Sequence, residues 1–140
     1  MAENNAIVNG IDLPISTKHS VEIFNLIRNK SIKKAKEILE NTINMKQAIP
    51  YKRFNKNLAH RKGGMGPGSF PVKTSKVILT LIKSVEANAQ NKNLDTNNLI
   101  IKKAIANKAG NQYHYGRQRR IKMKRTHLTI IVEEIKQNKK

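Results

Sequence analysis

Few residues in this chain can carry chemistry, and their spacing excludes most reactions. The four histidines are His19, His60, His114 and His127. No two stand at metal-ligand spacing, and no HExxH run is present. Each reads as a hydrogen-bonding or RNA-contacting group. Glu133 and Glu134 are neighbours on an expected strand, so their side chains leave opposite faces. Glu37 and Glu40 share a helix face without a companion base or nucleophile. The chain has no cysteine, which removes thiol nucleophiles, Cys-based zinc sites and disulfides together. Gly63, Gly64, Gly66 and Gly68 invite a phosphate-loop reading. It fails because Gly68 is followed by Ser69, Phe70 and Pro71 rather than by Lys and Ser or Thr, and no apolar strand precedes it. The expectation is no catalytic site, no metal and no cofactor.

What remains is cationic and aromatic chemistry. Tyr51 to Lys76 carries seven basic residues and no acid, and Lys108 to Arg125 carries another seven with none. Such segments repel themselves when free and are expected to order on a polyanion. Tyr51, Phe54, Phe70, Tyr113 and Tyr115 fall inside or at the edge of these segments. Rings interleaved with Arg and Lys are what unpaired RNA bases stack upon. For Tyr113 and Tyr115, packing across a hairpin is the compatible alternative. The glycines allow close backbone approach to a phosphate ribbon, with Arg61 and Lys62 supplying charge.

These groups need a body to position them. At 140 residues the chain makes one domain. Its net charge of +19 opposes compaction unless a polyanion neutralises it. The charge is uneven, with seven basic against five acidic residues in 1–50, nine against two in 51–95, and twelve against two in 96–140. A hydrophobic fraction of 38% and an aromatic fraction of 4%, with no Trp, imply a small aliphatic core and no large enzyme cleft. No apolar run approaches the roughly 18 residues of a membrane span, and Met1 to Gly10 lacks a charged-then-apolar signal. A cytoplasmic nucleic-acid binder is expected, with no membrane contact and no homo-oligomer.

Three stretches have helical periodicity. The first follows Ser16 and carries Val21, Phe24 and Ile27 with Ile23 and Leu26, stopping near Asn29. The second begins at Ser31 and places Ile32, Ala35, Ile38 and Leu39 on one stripe, with Lys33, Lys34 and Lys36 facing water or RNA. The third follows Pro71, with Ile78, Leu81, Ile82, Val85 and Ala89 at i, i+3, i+4 spacing. Leu99 to Ala106 and Leu128 to Val132 read as strands of a long hairpin, and Ile11 to Ile15 as a short third strand. At roughly 3.3 Å per residue, eight or nine residues per arm would project on the order of 25–30 Å beyond the body. The fold class expected is α+β: three helices packed on a small, mainly antiparallel three-stranded sheet, with a long extended β-hairpin. Residues 1–10 read as an N-terminal extension and 11–134 as the domain. Within it lie a basic Gly-rich loop at 48–71 and the hairpin at 99–132, extended over 108–125. A basic tail occupies 135–140.

The order LPISTKHSVEI, KAKEILENTI, KQAIPYKRFN, HRKGGMGPGSFPVK, LIKSVEANAQNKNLDTNNLII and THLTIIVEE resembles the ribosomal protein L twenty-two family of the large subunit. The likeness is to its archaeal and eukaryotic type (L seventeen in eukaryotes) and covers about residues 11–134. It implies a structural constituent of the large ribosomal subunit with no enzymatic activity. Such a protein binds 23S-type rRNA, bridges several of its domains during assembly, and lines the polypeptide exit tunnel with its hairpin tip. The implied partners are large-subunit rRNA, neighbouring large-subunit proteins and the nascent polypeptide. The residues expected at rRNA are Lys18, His19, Lys52, Arg53, Lys56, His60, Arg61, Lys62, Lys73 and Lys76. From the hairpin come Lys108, Tyr113, His114, Tyr115, Arg117, Arg119, Arg120, Lys122, Lys124 and Arg125. The tunnel tip is expected at Gln112, Tyr113, His114, Tyr115, Gly116 and Arg117. Only Gly116-Arg117 matches the family's Arg-Ala-x-Gly-Arg element, and about five residues before it are missing, which implies a shorter tip.

Composition alone also admits an architectural nucleic-acid-binding protein outside the ribosome. A DNA reader would more often show a recognition helix or dimeric symmetry, whereas here charge concentrates on a loop and a ribbon. A small RNA-directed enzyme is opposed by the missing catalytic constellation.

Overall fold

A computed structural model of the chain describes residues 4–135; the expected basic tail lies, beyond Ile135, outside the described residues. Apolar spacing sets the helices. Helix α1 (Thr17–Ile27) follows Ser16, which is extended, and buries Ser20, Glu22, Ile23, Phe24 and Ile27. Val21 and Leu26 are only half-buried. Helix α2 (Ile32–Ile43) starts at Ser31, whose hydroxyl accepts the Lys34 amide hydrogen at 3.4 Å, the capping role its side chain is suited to. The helix buries Ile32, Ala35, Ile38, Leu39 and Thr42. Of its lysines, Lys33 and Lys34 are exposed as expected, with Lys33 donating to Asn97 Oδ1 at 2.7 Å, whereas Lys36 is half-buried and pairs with Glu86. Helix α3 (Val72–Asn91) follows Pro71 and buries Ile78, Ile82, Val85 and Ala89. It closes through Asn93 at φ +57, with the Leu94 amide donating to the Ala89 carbonyl at 3.0 Å, a left-handed stop of the kind helix ends favour.

The helices pack on a three-stranded antiparallel sheet, which together with them makes the expected α+β architecture. Its strands are β1 (Asn5–Leu13), β5 (Leu99–Lys108) and β6 (Thr126–Glu134), in the order β1-β6-β5. Ala6, Leu99, Ile101, Ala104, Leu128, Ile130 and Val132 join the helices' apolar stripes in one core. Strand β5 reads poorly as an alternating pattern because it is bulged. Ile101 pairs with Val132 and Lys103 with Ile131, leaving Lys102 as the extra residue and returning Ala104 to the inner face.

Three expectations are corrected. The third strand runs from Asn5 to Leu13 rather than from Ile11 to Ile15, so residues 5–10 belong to the sheet and are not an extension. Asn9 and Gly10 make this stretch look like a turn; pairing of Ala6 with Val132 and Gly10 with Leu128 makes it a strand. Gly10 is required by close packing, since a Cβ there would lie 2.7 Å from Leu13 Cδ1 and 3.1 Å from Leu81 Cδ1. The register then shifts before Leu13, with Asp12 at φ +51.

The segment 48–71 is not a plain loop. It folds into β2 (Ile49–Pro50), β3 (His60–Arg61) and β4 (Gly66–Ser69), a small antiparallel sheet in the order β2-β4-β3. Gly63, Gly64 and Gly66, at φ +86, +67 and +72, make the reversal between β3 and β4.

The third correction concerns the hairpin, whose regular pairing ends at Lys108 opposite Thr126. Beyond that the arms are joined irregularly: Ala109 donates to the Arg125 carbonyl (3.1 Å), Met123 to Gln112 (2.7 Å) and His114 to Ile121 (2.9 Å). The chain reverses through 115–120, not through Gln112 to Arg117. Beyond Lys108 and Thr126 no further regular ribbon of eight or nine residues per arm forms, because 109–125 offers no alternating apolar face to bury.

Candidate nucleic-acid interface

The start of α1, the first turn of the 48–71 segment and the base of the hairpin meet around a groove of about 400 Å³. Lys18, His19, Lys108, Lys124 and Arg125 line it with Ser16, Thr17, Asn55 and Asn111, and no acidic side chain is among them. The meeting of these elements is held by buried hydroxyls. Thr126 Oγ1 donates to the Ile15 carbonyl at 3.0 Å, and the Thr17 and Thr126 hydroxyls lie 2.8 Å apart. Ser16 flanks the helix start without a capping bond from its side chain, and the first turn carries no acid. The partial positive charge of the helix end therefore adds to that of the four lysine and arginine side chains.

Electrostatic crowding is visible at His19, whose ring stands edge-on to Tyr51 at 5.7 Å between centroids. Burial, and secondly the charge of Lys124, hold the imidazole below its ordinary value of 6.5. The folded state therefore disfavours the imidazolium, and the unfolded chain binds the proton first as pH falls. In urea unfolding from about pH 7.5 down to about pH 5.5, the wild type should lose more stability than His19→Gln. Parallel losses in the two proteins would contradict this. An anion in the groove reverses the sign by favouring the imidazolium.

A second groove adjoins the first through Lys124, which lines both. It brings Lys73, at the start of α3, and Pro14 together with His114, Ile121, Lys122 and Met123 of the hairpin end. Lys122 Nζ stands 4.9 Å from the centre of the Tyr113 ring, across the Tyr113–Lys122 bridge. A third groove, of about 420 Å³, lies against the small sheet, between Lys46, Gln47, Ala48 and Arg61, Lys62, Met65, Phe70. There Arg61 Nε donates to the Gly68 carbonyl at 3.1 Å, with its guanidinium 5.3 Å from the centre of the Phe70 ring. Gly68 leaves room for that arrangement, since a Cβ would lie 2.9 Å from Arg61 Cγ and 3.3 Å from the Ile49 carbonyl oxygen.

Of the expected contact residues, the structure thus gathers Lys18, His19, Lys73, Lys108, His114, Lys122, Lys124 and Arg125 in two adjoining grooves, and Arg61 with Lys62 in the third. Lys52, Arg53, Lys56, His60, Lys76, Arg117, Arg119 and Arg120 are exposed but line none of the three. Tyr113 and Tyr115 are exposed, as base stacking requires. Tyr51 is not available for stacking: it is 2% exposed and belongs to the core, where burial and the nearby Glu22 carboxylate push its hydroxyl up to about 12. Among the described residues no cluster of His, Asp and Glu could hold a metal ion, and no helix is long and apolar enough to cross a membrane.

Sequence reasoning missed Glu22. It is 1% exposed in α1, and its carboxylate accepts backbone N–H groups from Lys52 (3.1 Å), Arg53 (2.9 Å) and Phe54 (2.6 Å). The available signal was a single carboxylate set among the apolar Val21, Ile23 and Phe24.

The family described as ribosomal protein L22p/L17e matches residues 8–133. Three archaeal proteins, each named "Large ribosomal subunit protein uL22", are similar to the chain. That of Archaeoglobus fulgidus is 46% identical over 101 residues, which are 71% of this chain and 65% of that protein. The Methanoculleus marisnigri protein is 43% identical over 75% of this chain and 70% of its own length. The Nanoarchaeum equitans protein is 40% identical over 96% of this chain and 81% of its own length.

Proposed function

The chain belongs to the ribosomal protein L22p/L17e family, and from that membership we propose that it is a structural protein of the large ribosomal subunit. Its work is positional, not catalytic. Lysine and arginine side chains replace counterions along the phosphate backbone of large-subunit rRNA, and arginine forks fix register by bidentate contact. The observation that carries this reading is the acid-free groove in which Lys18, His19, Lys108, Lys124 and Arg125 converge from separate parts of the chain. A cavity with that lining is unfavourable until an anion enters it, and a folded RNA supplies phosphates at the needed density.

The finer reading follows the family. The adjoining grooves and the small sheet each take a different stretch of rRNA, so that the protein bridges rRNA domains during assembly. The hairpin end around 115–120 lines the polypeptide exit tunnel and meets the nascent chain, with neighbouring large-subunit proteins against the body. The protein needs no cofactor of its own; Mg ions at the interface belong to the RNA.

Sucrose-gradient sedimentation of a lysate tests the assignment. The chain is expected to co-migrate with large subunits at moderate salt and to be released as salt rises. Migration with DNA, or as free protein at moderate salt, would overturn it in favour of an architectural nucleic-acid binder or an unrelated role.

A further inference from the structure

Glu22 is a buried carboxylate that meets no cationic side chain: the ion pairs among the described residues do not include it. A buried charge is costly unless its oxygens are satisfied. Here the satisfaction comes from three consecutive backbone N–H groups, those of Lys52, Arg53 and Phe54. Successive N–H groups converging on one point form a concavity that ordinarily binds an anion such as phosphate. In this protein the concavity is filled from within, by α1.

The choice of partner matters. A salt bridge from Glu22 to Arg53 or Lys52 would have anchored the segment equally well, but it would have cancelled a positive charge. Bonding to the backbone anchors the same residues while their side chains stay exposed and fully cationic. The N–H groups of Lys52 and Arg53 point to the carboxylate, and both side chains are exposed. Lys18 lies one turn before Glu22 on the same face of α1. Its Nζ and the Arg53 guanidinium approach the Phe54 ring at 5.9 Å and 5.2 Å. The anchoring therefore joins the segment's first cations to the edge of the groove at the start of α1.

We propose that Glu22 is a positioning residue for RNA binding, holding the Lys52–Phe54 backbone so that Lys52 and Arg53 are presented to phosphate beside the α1 groove. This rests on the rRNA-binding reading above. Glutamine at 22 keeps the shape, and its Oε1 can still accept from Arg53 and Phe54, but its NH2 group faces the Lys52 donor and the negative charge is gone, so the presentation is loosened.

The test is a double-mutant cycle with the full chain and protein-free large-subunit rRNA, read by filter binding over a salt series at a temperature where circular dichroism shows every variant folded. Glu22→Gln is expected to weaken binding about tenfold and to make the negative slope of log K against log salt shallower by about 1 to 1.5, the upper figure being the loss of two phosphate contacts. In a Lys52→Ala, Arg53→Ala background, adding Glu22→Gln should change neither quantity further. A purely structural role would lower the melting temperature without moving the salt slope. The proposal is overturned if Glu22→Gln leaves the slope unchanged, or if its effect persists undiminished in the double-alanine background. Should Glu22→Gln not fold, Glu22→Asp, which keeps the charge but shortens its reach, is put through the same cycle under the same criteria. Wild-type protein that fails to bind the rRNA overturns the functional reading instead, so the two failures are distinct.

Discussion

Reversing Arg119 and Arg120 to glutamate together should weaken binding to large-subunit rRNA by a hundredfold or more while leaving the isolated protein folded. Both side chains are exposed in the turn that ends the hairpin, and no hydrogen bond or ion pair from either occurs among the described residues. Removing two charge-assisted contacts costs about 1.5–3 kcal/mol each, before the repulsion added by the new carboxylates. Each reversal subtracts two charges, taking the net charge from +19 to +15, which relieves self-repulsion in the free chain. Stability in urea should therefore stay within about 0.5 kcal/mol of the wild type, as for ordinary surface changes. In gradients, the variant should be depleted from large subunits. Full occupancy in purified subunits would refute the assignment of these arginines to RNA.

Phe24→Ala should produce the largest loss of stability. The ring is 1% exposed and is the largest side chain among the fully buried residues. Its truncation removes apolar burial and leaves a cavity, for about 3–5 kcal/mol in chemical denaturation. Against a total of about 5–15 kcal/mol for a domain of this kind, that is a large fraction. The variant should also bind RNA less well, because α1 carries Lys18, His19 and Glu22 on the same rigid element. A loss below about 1.5 kcal/mol would show that the core closes around the gap. Binding unaffected by so large a destabilisation would mean that α1 does not organise the groove.

The two effects separate the two parts of the molecule. Apolar side chains from three helices and one sheet face make the body, whereas the cations at its surface contribute repulsion until an anion is bound. The grooves form where secondary elements end: at the start of α1, at the start of α3 and at the last regular pair of the hairpin. Chain ends of helices and strands expose backbone donors and allow long basic side chains to converge, which the middle of a packed element does not.

Much of this was legible in the sequence. The stripes Ile32, Ala35, Ile38, Leu39 and Ile78, Ile82, Val85, Ala89 fixed α2 and α3, and the Ser31 cap was visible as a residue type beside them. Leu128 to Val132 announced the central strand, and the two acid-free segments marked where cations would gather. These are short-range properties, since helical period, capping chemistry and local charge depend on residues within a few positions of one another. Tertiary structure alone decided the rest. Strand β1 exists because Ala6 finds Val132, more than a hundred residues away; the bulge at Lys102 is set by what lies beneath Ile101 and Ala104. Tyr51 went to the core instead of to solvent, and Glu22, which sequence reasoning did not single out, is a buried anchor for backbone thirty residues on. In each case the deciding energy is a contact or hydrogen bond between residues remote in sequence, and no local pattern encodes which distant partner will be there.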